Sequence, residues 1–344
     1  MKKLCSCLLL LFSAYMISGQ TPNLGNLGSV SNAFKNFAVK IAPVLSGAAF
    51  DSLVWSDSCI GRFGDPTLHF GAGVSIQSTF IPIDGIDPLL NALDLASPQG
   101  LTAFGSLGVP FPSYAIEARI GGMNLPFDIG VKGGAIFADG KTFNGNASVD
   151  YMMLGTEIRY AILNDMAGSF GLSVGLGFTW LKGGVYVPMS DIVLSNVPTG
   201  PSRYDSVTLT KPNMALEWSA NVFELKVQAS KTLGSITPYF GFGGSLNWTE
   251  AGGGFYSQNG LKIGGVYMDA EQLSYLQQHF PGSPSNASIS QNTILAKYRQ
   301  AAVWGLSVFG GLSFKLGVAR LDLNAMFNVP ANVPGVDVGL RLQF

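Results

Sequence analysis

Charge is scarce in this sequence. Lys, Arg, Asp and Glu together make up 12% of its 344 residues and the net charge is −1, where an ordinary soluble domain carries about 25% charged residues. A chain so nearly neutral has no basic footprint, which argues against nucleic acid as a partner. Cysteine is scarcer still: Cys5 and Cys7 fall in the first twenty residues, and Cys59 stands alone beyond them. One thiol forms no internal disulfide, and with His69 and His279 as the only histidines there is no Cys/His metal spacing. No metal or cofactor is expected, and Cys59 reads as a small semi-buried residue. Also missing, beyond residue 20, is any long uninterrupted apolar run, although 47% of residues are hydrophobic; this argues against a helical membrane protein.

What is present is glycine (44), phenylalanine (23) and a strict alternation. From Pro66 onward it scarcely stops. Leu68, Phe70, Ala72, Val74 and Ile76 share one face, with His69, Gly71, Gly73, Ser75 and Gln77 on the other. Between residues 170 and 180, Phe170, Leu172, Val174, Leu176, Phe178 and Trp180 alternate with glycine, serine and threonine. A soluble sandwich would need a second sheet over every such face. Lipid covers them all at once, and closure satisfies the backbone groups that a bilayer cannot.

The expected fold is therefore all-β: a transmembrane antiparallel up-and-down β-barrel of about 10 strands, near 66–81, 112–121, 126–137, 148–162, 167–182, 214–229, 236–249, 300–314, 317–328 and 335–344. Short turns at 122–125, 163–166, 230–235 and 315–316 alternate with longer connections, as periplasmic turns alternate with extracellular loops. Long extracellular loops are expected at 82–111, 183–213 and 250–299, with shorter ones at 138–147 and 329–334. Hairpins hidden in 82–111, 183–213 or 250–269 would raise the count to 12–14. Trp180, Trp218, Trp248 and Trp304 fall near the loop ends of strands, where an outer-leaflet aromatic girdle belongs.

Residues 1–20 read as a signal peptide, with Lys2 and Lys3, an apolar Leu8–Met16 core, and the small-residue stretch Ser18-Gly19-Gln20. Residues 21–65 lack strand alternation and form a helical plug or periplasmic segment. Ser31-Asn32 caps a helix carrying Phe34, Phe37, Ala38 and Ile41, which Pro43 ends, and Phe50, Leu53, Val54 and Trp55 make a second apolar patch. In the loops, Asp84–Leu95 and Asp269–Phe280 are expected short helices, the second with carboxylates at its N-terminus, and 281–290 a loop tip.

The candidate site is the inward face. Glu117 with Arg119, Glu157 with Arg159, Glu224 with Lys226, and Arg320 with Asp322 are opposite charges two residues apart, hence on one face. Asp128, Lys132, Glu217, Asp337 and Arg341 join them. The set is either a salt-bridge lattice filling the lumen or a charged constriction that selects solutes; the near-balance of signs favours the lattice. Lumenal glycines (Gly71, Gly73, Gly171, Gly175, Gly177, Gly241, Gly243) allow strong coiling or leave room for the N-terminal segment or a ligand. No catalytic residues are assigned and the chain is not expected to be an enzyme, because neither histidine has a hydrolase partner at useful spacing.

The stretch Val336–Phe344, apolar at every even position and ending on Phe, resembles the terminal strand of bacterial outer-membrane β-barrels. That resemblance implies an assembly signal in Val338, Leu340, Leu342 and Phe344, read by the barrel-assembly machinery, and a place among outer-membrane lipid. Residues 28–137, with the Phe-rich helical segment, Thr102-Ala103-Phe104-Gly105 and Pro110-Phe111-Pro112 ahead of a glycine-rich strand pair, together with the last strand, resemble fatty-acid-transporter type (FadL-like) barrels. The implied function is passive transport or binding of small hydrophobic molecules at the bacterial outer membrane. Leu89, Leu90, Leu93 and Leu95 would then form its hydrophobic mouth. The alternative is a structural or surface-interaction barrel acting through loops 183–213 and 250–299.

Overall fold

The structure, a computed structural model, describes residues 27–60, 66–92, 107–138, 147–163, 169–282 and 284–344. In order these form α1 (Leu27–Asp51), β1 (Leu68–Ile81), α2 (Ile83–Ala92), β2 (Val109–Gly122), β3 (Leu125–Ala138), β4 (Ser148–Leu163), β5 (Gly171–Pro188), β6 (Ile192–Gly200) and β7 (Arg203–Leu209). There follow β8 (Asn213–Ser230), β9 (Ile236–Tyr256), β10 (Leu261–Ile263), β11 (Val266–Tyr267), α3 (Ala270–Gln278), β12 (Asn286–Ser290), β13 (Thr293–Leu316), β14 (Ala319–Asn328) and β15 (Val333–Gln343).

Ten of these strands close a single antiparallel barrel in the order β13-β14-β15-β1-β2-β3-β4-β5-β8-β9, with β9 returning to β13. Each expected strand overlaps one of them, and none of the described loop segments adds an eleventh stave. The hairpin in 183–213 exists, but β6 and β7 pair with β10 and β11 in a separate four-stranded sheet. At the seam β15 pairs with β1 in the register Ala72↔Leu342, Ser75↔Gly339 and Gln77↔Asp337. Beyond it, the Phe344 amide donates to Phe70 O at 2.8 Å and the Phe70 amide to Phe344 O at 3.1 Å. One end of the barrel carries the tight connections. Between β2 and β3, Met123 and Asn124 sit at φ 57° and 62°, the paired left-handed conformation of a turn whose twist matches its strands.

At the other end the strands run on past the expected boundaries. β9 and β13 stay paired to Tyr256 and Thr293, across a register break between Gln300 and Val303. Residues 286–290, expected as a loop tip, form β12 and pair with 293–297. The helix expected from Asp269 is present as α3, where the Asp269 side chain and Gln272 cap one another reciprocally.

Pro43 does not end the first helix; α1 runs through it to Asp51. Proline costs an internal helix a hydrogen bond and a clash of about 3 kcal/mol. Seventeen of the helix's residues are buried, and that tertiary burial outweighs the local penalty. The surfaces that bury them are the inward faces of β9, β13, β1, β15, β8 and β14, so α1 and the stretch after it run through the barrel interior. Lumenal glycines make that possible: a Cβ on Gly243 would come within 2.7 Å of the Phe50 ring, and one on Gly71 within 2.7 Å of the Trp55 ring.

The outward face is apolar from stave to stave, with Ile116, Leu176, Phe240, Trp304 and Leu340 all exposed. No helix among the described residues is long and apolar enough to cross a membrane.

Candidate functional site: a two-tier lumen

The lumen changes character along its axis. At the tight-turn end it is charged. Arg119 Nη1 bonds Asp128 Oδ1 at 2.6 Å, its Nη2 bonds Glu157, and Arg159 reaches Asp128 from the other side at 2.7 Å. Lys226 bridges Glu157 at 3.1 Å and Glu224 at 3.2 Å, with Lys132 on Glu224 at 3.5 Å. Across the barrel Arg341 holds Asp322 at 2.7 Å, and Arg341 and Arg320 both hold Asp57 at 2.8 Å. Of the four expected pairs two residues apart, only Glu224 with Lys226 bonds directly. Arg119, Glu157, Arg159 and Asp322 pair with residues of other strands instead, because neighbours across a sheet are about 5 Å apart while i and i+2 are nearly 7 Å apart, and Arg320 bonds Asp57 of the N-terminal segment.

This lattice also grips the N-terminal segment. Glu117 takes no cation; its Oε1 accepts from the Leu53 amide at 2.9 Å and Ser75 Oγ at 2.8 Å, and its Oε2 from Trp55 Nε1 at 2.8 Å. The Ile60 amide donates to Asp128 at 2.8 Å, Lys132 to Ala49 O at 2.6 Å, Gln228 to Trp55 O at 2.8 Å and Arg119 to Leu53 O at 2.9 Å. The Trp55 ring lies near both Arg119 and Arg341, whose guanidinium carbons are 5.5 and 4.6 Å from its centroid. Burial raises the Asp57 carboxyl, but Arg341 and Arg320 outweigh it and bring it from the usual 3.8 down to about 2.

Glu217 is a correction to the expected lattice. It cannot share a face with Glu224, seven residues on, and it lies on the opposite side of β8, bonded to Lys297 at 2.8 Å and to the hydroxyls of Tyr186 and Tyr256. Trp218 is a second correction. It faces inward and is 5% exposed, whereas Trp248 and Trp304 face outward as a girdle requires. On β8 the inward positions switch from Glu224 and Lys226 to Trp218, Leu216 and Met214, so aromatic character alone did not mark the lipid side.

That switch recurs on every neighbouring stave. At the loop end the inward residues are Ile81, Phe111, Ile136, Val149, Tyr151 and Val185, and between them and Phe37 and Ile41 of α1 lies a crevice of about 40 Å³ with an almost wholly apolar lining. Phe111 meets Trp218 and Tyr151 edge-on, with centroids 5.3 and 6.4 Å away. Leu89 and Leu90 of α2 are 0% and 1% exposed, in the same apolar cluster, above α1; Leu93 and Leu95 lie outside the described residues. Of the terminal-strand set, Val338, Leu340, Leu342 and Phe344 are all exposed on the outward side.

His69 contacts Thr67 and the Phe344 carbonyl, and His279 stacks on Tyr275 at 4.0 Å; the first is at the tight-turn end and the second in a loop. No cluster of three or more His, Cys, Asp or Glu able to hold a metal occurs among the described residues. The sequence signals for Asp51, Asp57 and Trp55 were hidden, because their segment has no period to assign them a face.

A closed ten-stranded antiparallel barrel with an apolar outer face and an inward charge lattice defines a β-barrel of the membrane-spanning class. No protein-family model matches the chain, and no curated protein matches it. Among solved structures it is similar to the outer membrane protease OmpT from Escherichia coli, at 9% identity over 82% of this chain and 98% of that one, with a TM-score of 0.40. It is also similar to the toluene transporter TbuX from Ralstonia pickettii (10% identity, 93% and 98% covered, TM-score 0.27) and to the CymD monoaromatic hydrocarbon channel (10%, 96% and 95%, TM-score 0.23). These are likenesses of barrel shape, and no activity follows from them.

Proposed function

We propose that this chain is an outer-membrane β-barrel, exported by the signal peptide of residues 1–20, that binds small hydrophobic molecules at the loop end of its lumen and passes them onward. The observation that carries the reading is the apolar crevice between α1 and the inward faces of β1–β5 and β8. A lumen that served only as a scaffold would be filled by its lattice along its whole length, as the lower tier is. At about 40 Å³ the crevice is well below the 150 Å³ of a cavity that holds benzene, so it admits the end of an acyl chain or a small group. Onward passage requires α1 to shift, and the charged lower tier sets the barrier. Leu89 and Leu90 stand at the mouth of this route, and the β15 residues Val338, Leu340, Leu342 and Phe344 serve assembly into lipid.

The test is mass spectrometry of molecules extracted from barrel purified out of outer membranes in mild detergent, with folding checked by a heat-dependent gel shift. One acyl-chain or hydrocarbon species at near-stoichiometric yield, lost in Val185→Phe, supports the reading. Recovery of bulk membrane lipid alone, unchanged in that variant, sinks it. A surface-interaction role is favoured by one observation: Tyr204, Val266 and Tyr267 of the four-stranded loop sheet are exposed. Deleting 192–209 would abolish binding of a surface partner while leaving the extracted species unchanged.

A further inference from the structure

One level of the barrel wall carries a girdle of polar side chains with unfilled hydrogen-bonding capacity. Cross-strand register places Ser113, Gln77, Asp337 and Asn324 side by side on β2, β1, β15 and β14, and continues through Gly311 to Tyr239 on β9. All point inward and are at least nine-tenths buried. Both amide atoms of Gln77, Asp337 Oδ1, Asn324 Oδ1 and Tyr239 Oη have no hydrogen-bond partner among the described residues. Into the same level comes Asp51, the last residue of α1. Its Oδ1 accepts from Asn324 Nδ2 at 2.6 Å, while its Oδ2 has no partner among the described residues and would be 3.3 Å from a Cβ on Gly335, two residues before Asp337.

Two buried carboxylates thus meet the same Asn324, one bonded to it and the other its cross-strand partner, and neither makes an ion pair with any described residue. The lysines nearest Asp51 are committed elsewhere: Lys132 to Glu224 and Ala49 O, Lys226 to Glu157, Glu224 and Ser52 O. Two buried anions without a counter-charge are strongly unfavourable, and native proteins rarely leave so many polar atoms unsatisfied at one level. Carboxylate, amide and hydroxyl oxygens with no nitrogen or sulfur ligand are the donor set of a hard cation. A charge of −2 is neutralised by one divalent ion.

We propose that Asp51 and Asp337, with the amide oxygens of Asn324 and Gln77, form a lumenal site for a divalent cation of the calcium class, completed by water. Calcium is preferred over magnesium because ligands from a helix end and three strands make an irregular oxygen shell, which calcium tolerates and the strict octahedron of magnesium does not. The ion would tie the end of α1 to the seam where β15 meets β1, the joint at which the barrel closes.

The experiment uses the chain refolded in lipopolysaccharide-free detergent, so that no calcium arrives with lipid. Radiolabelled calcium is measured by equilibrium dialysis, with magnesium and sodium as competitors, alongside the thermal unfolding midpoint with and without the ion. The expected result is one calcium per chain with a Kd on the order of 10⁻⁴ M, a raised midpoint, and at least tenfold weaker binding in Asp337→Asn. The loop variant Asp205→Asn should bind as the unaltered chain does. If Asp337→Asn fails to give a heat-modifiable barrel, Gln77→Leu replaces it, with a several-fold loss expected. Absence of saturable calcium binding by the unaltered chain overturns the proposal and leaves the carboxylates to a shared proton and water. So does binding that neither variant weakens.

Discussion

Glu117→Ala is the perturbation that most directly tests how the N-terminal segment is held. Glu117 contributes a single carboxylate to three donors: the Leu53 amide, Trp55 Nε1 and Ser75 Oγ, at 2.8–2.9 Å. Hydrogen bonds to a charged group contribute about 1.5–3 kcal/mol each, so the three together amount to roughly 5–9 kcal/mol before correction. Deleting a buried carboxylate also returns its desolvation cost, several kcal/mol. The net loss is about 2–4 kcal/mol, and it falls on the segment, since two of the three donors belong to residues 53 and 55. The barrel's own ladder is untouched. Native-state proteolysis reads the population of the open segment when opening is fast relative to cleavage. At 1.4 kcal/mol per decade, cleavage within residues 27–60 should accelerate by about 30- to 700-fold, with the heat-modifiable barrel retained. Glu117→Gln, which keeps one acceptor oxygen, should fall between. A change of less than about fivefold in Glu117→Ala would refute the reasoning, because the donors would then have equivalent partners without the carboxylate.

Further predictions follow from the same geometry. Arg119→Met takes one of two cations from each of the buried carboxylates Asp128 and Glu157, leaving them only Arg159 and Lys226, and should cost about 3–5 kcal/mol in urea unfolding of the refolded barrel; a cost under 1 kcal/mol would mean the lattice is not coupled. Gly243→Val places side-chain atoms against the Phe50 ring and Leu225 O and should destabilise the segment by about 1–3 kcal/mol, seen as faster proteolysis there. Asp57, on the lumenal segment, has its carboxyl lowered to about 2, so the stability it contributes is complete above the usual 3.8 and lost as pH falls through 2. Acid titration of segment release should accordingly show a step between about pH 4 and 2 that is absent in Asp57→Asn.

How much of this was legible in the sequence depends on whether a residue had a period to read. Strands with strict alternation, such as 170–180 and 336–344, fixed both their existence and their lipid face, because a side chain in a strand has only two sides to choose from. The even strand number and the alternation of short and long connections followed from those segments alone. The lattice residues were equally visible, since glutamate and arginine two apart must share a side. Their partners were not: pairing within the lattice is set by cross-strand register and by the segment threading the lumen, neither of which is encoded locally. Trp218 and Glu217 show the same limit, because a strand that leaves the bilayer keeps its period while lipid no longer selects which face is apolar.

By itself the sequence determined a closed β-barrel with a greasy exterior, an inward charge set and a helical segment before it, because lipid contact and backbone satisfaction permit few other solutions for such a pattern. Only the tertiary structure decided that α1 runs on through Pro43 inside the barrel, that most of the lattice charges are consumed by one another and by the segment's backbone, and that Asp51 at the end of α1 bonds Asn324 on β14. Those outcomes depend on residues far apart in the chain being brought within bonding distance. Burial inside a closed cylinder supplies energies that exceed any local propensity, and no local pattern records them.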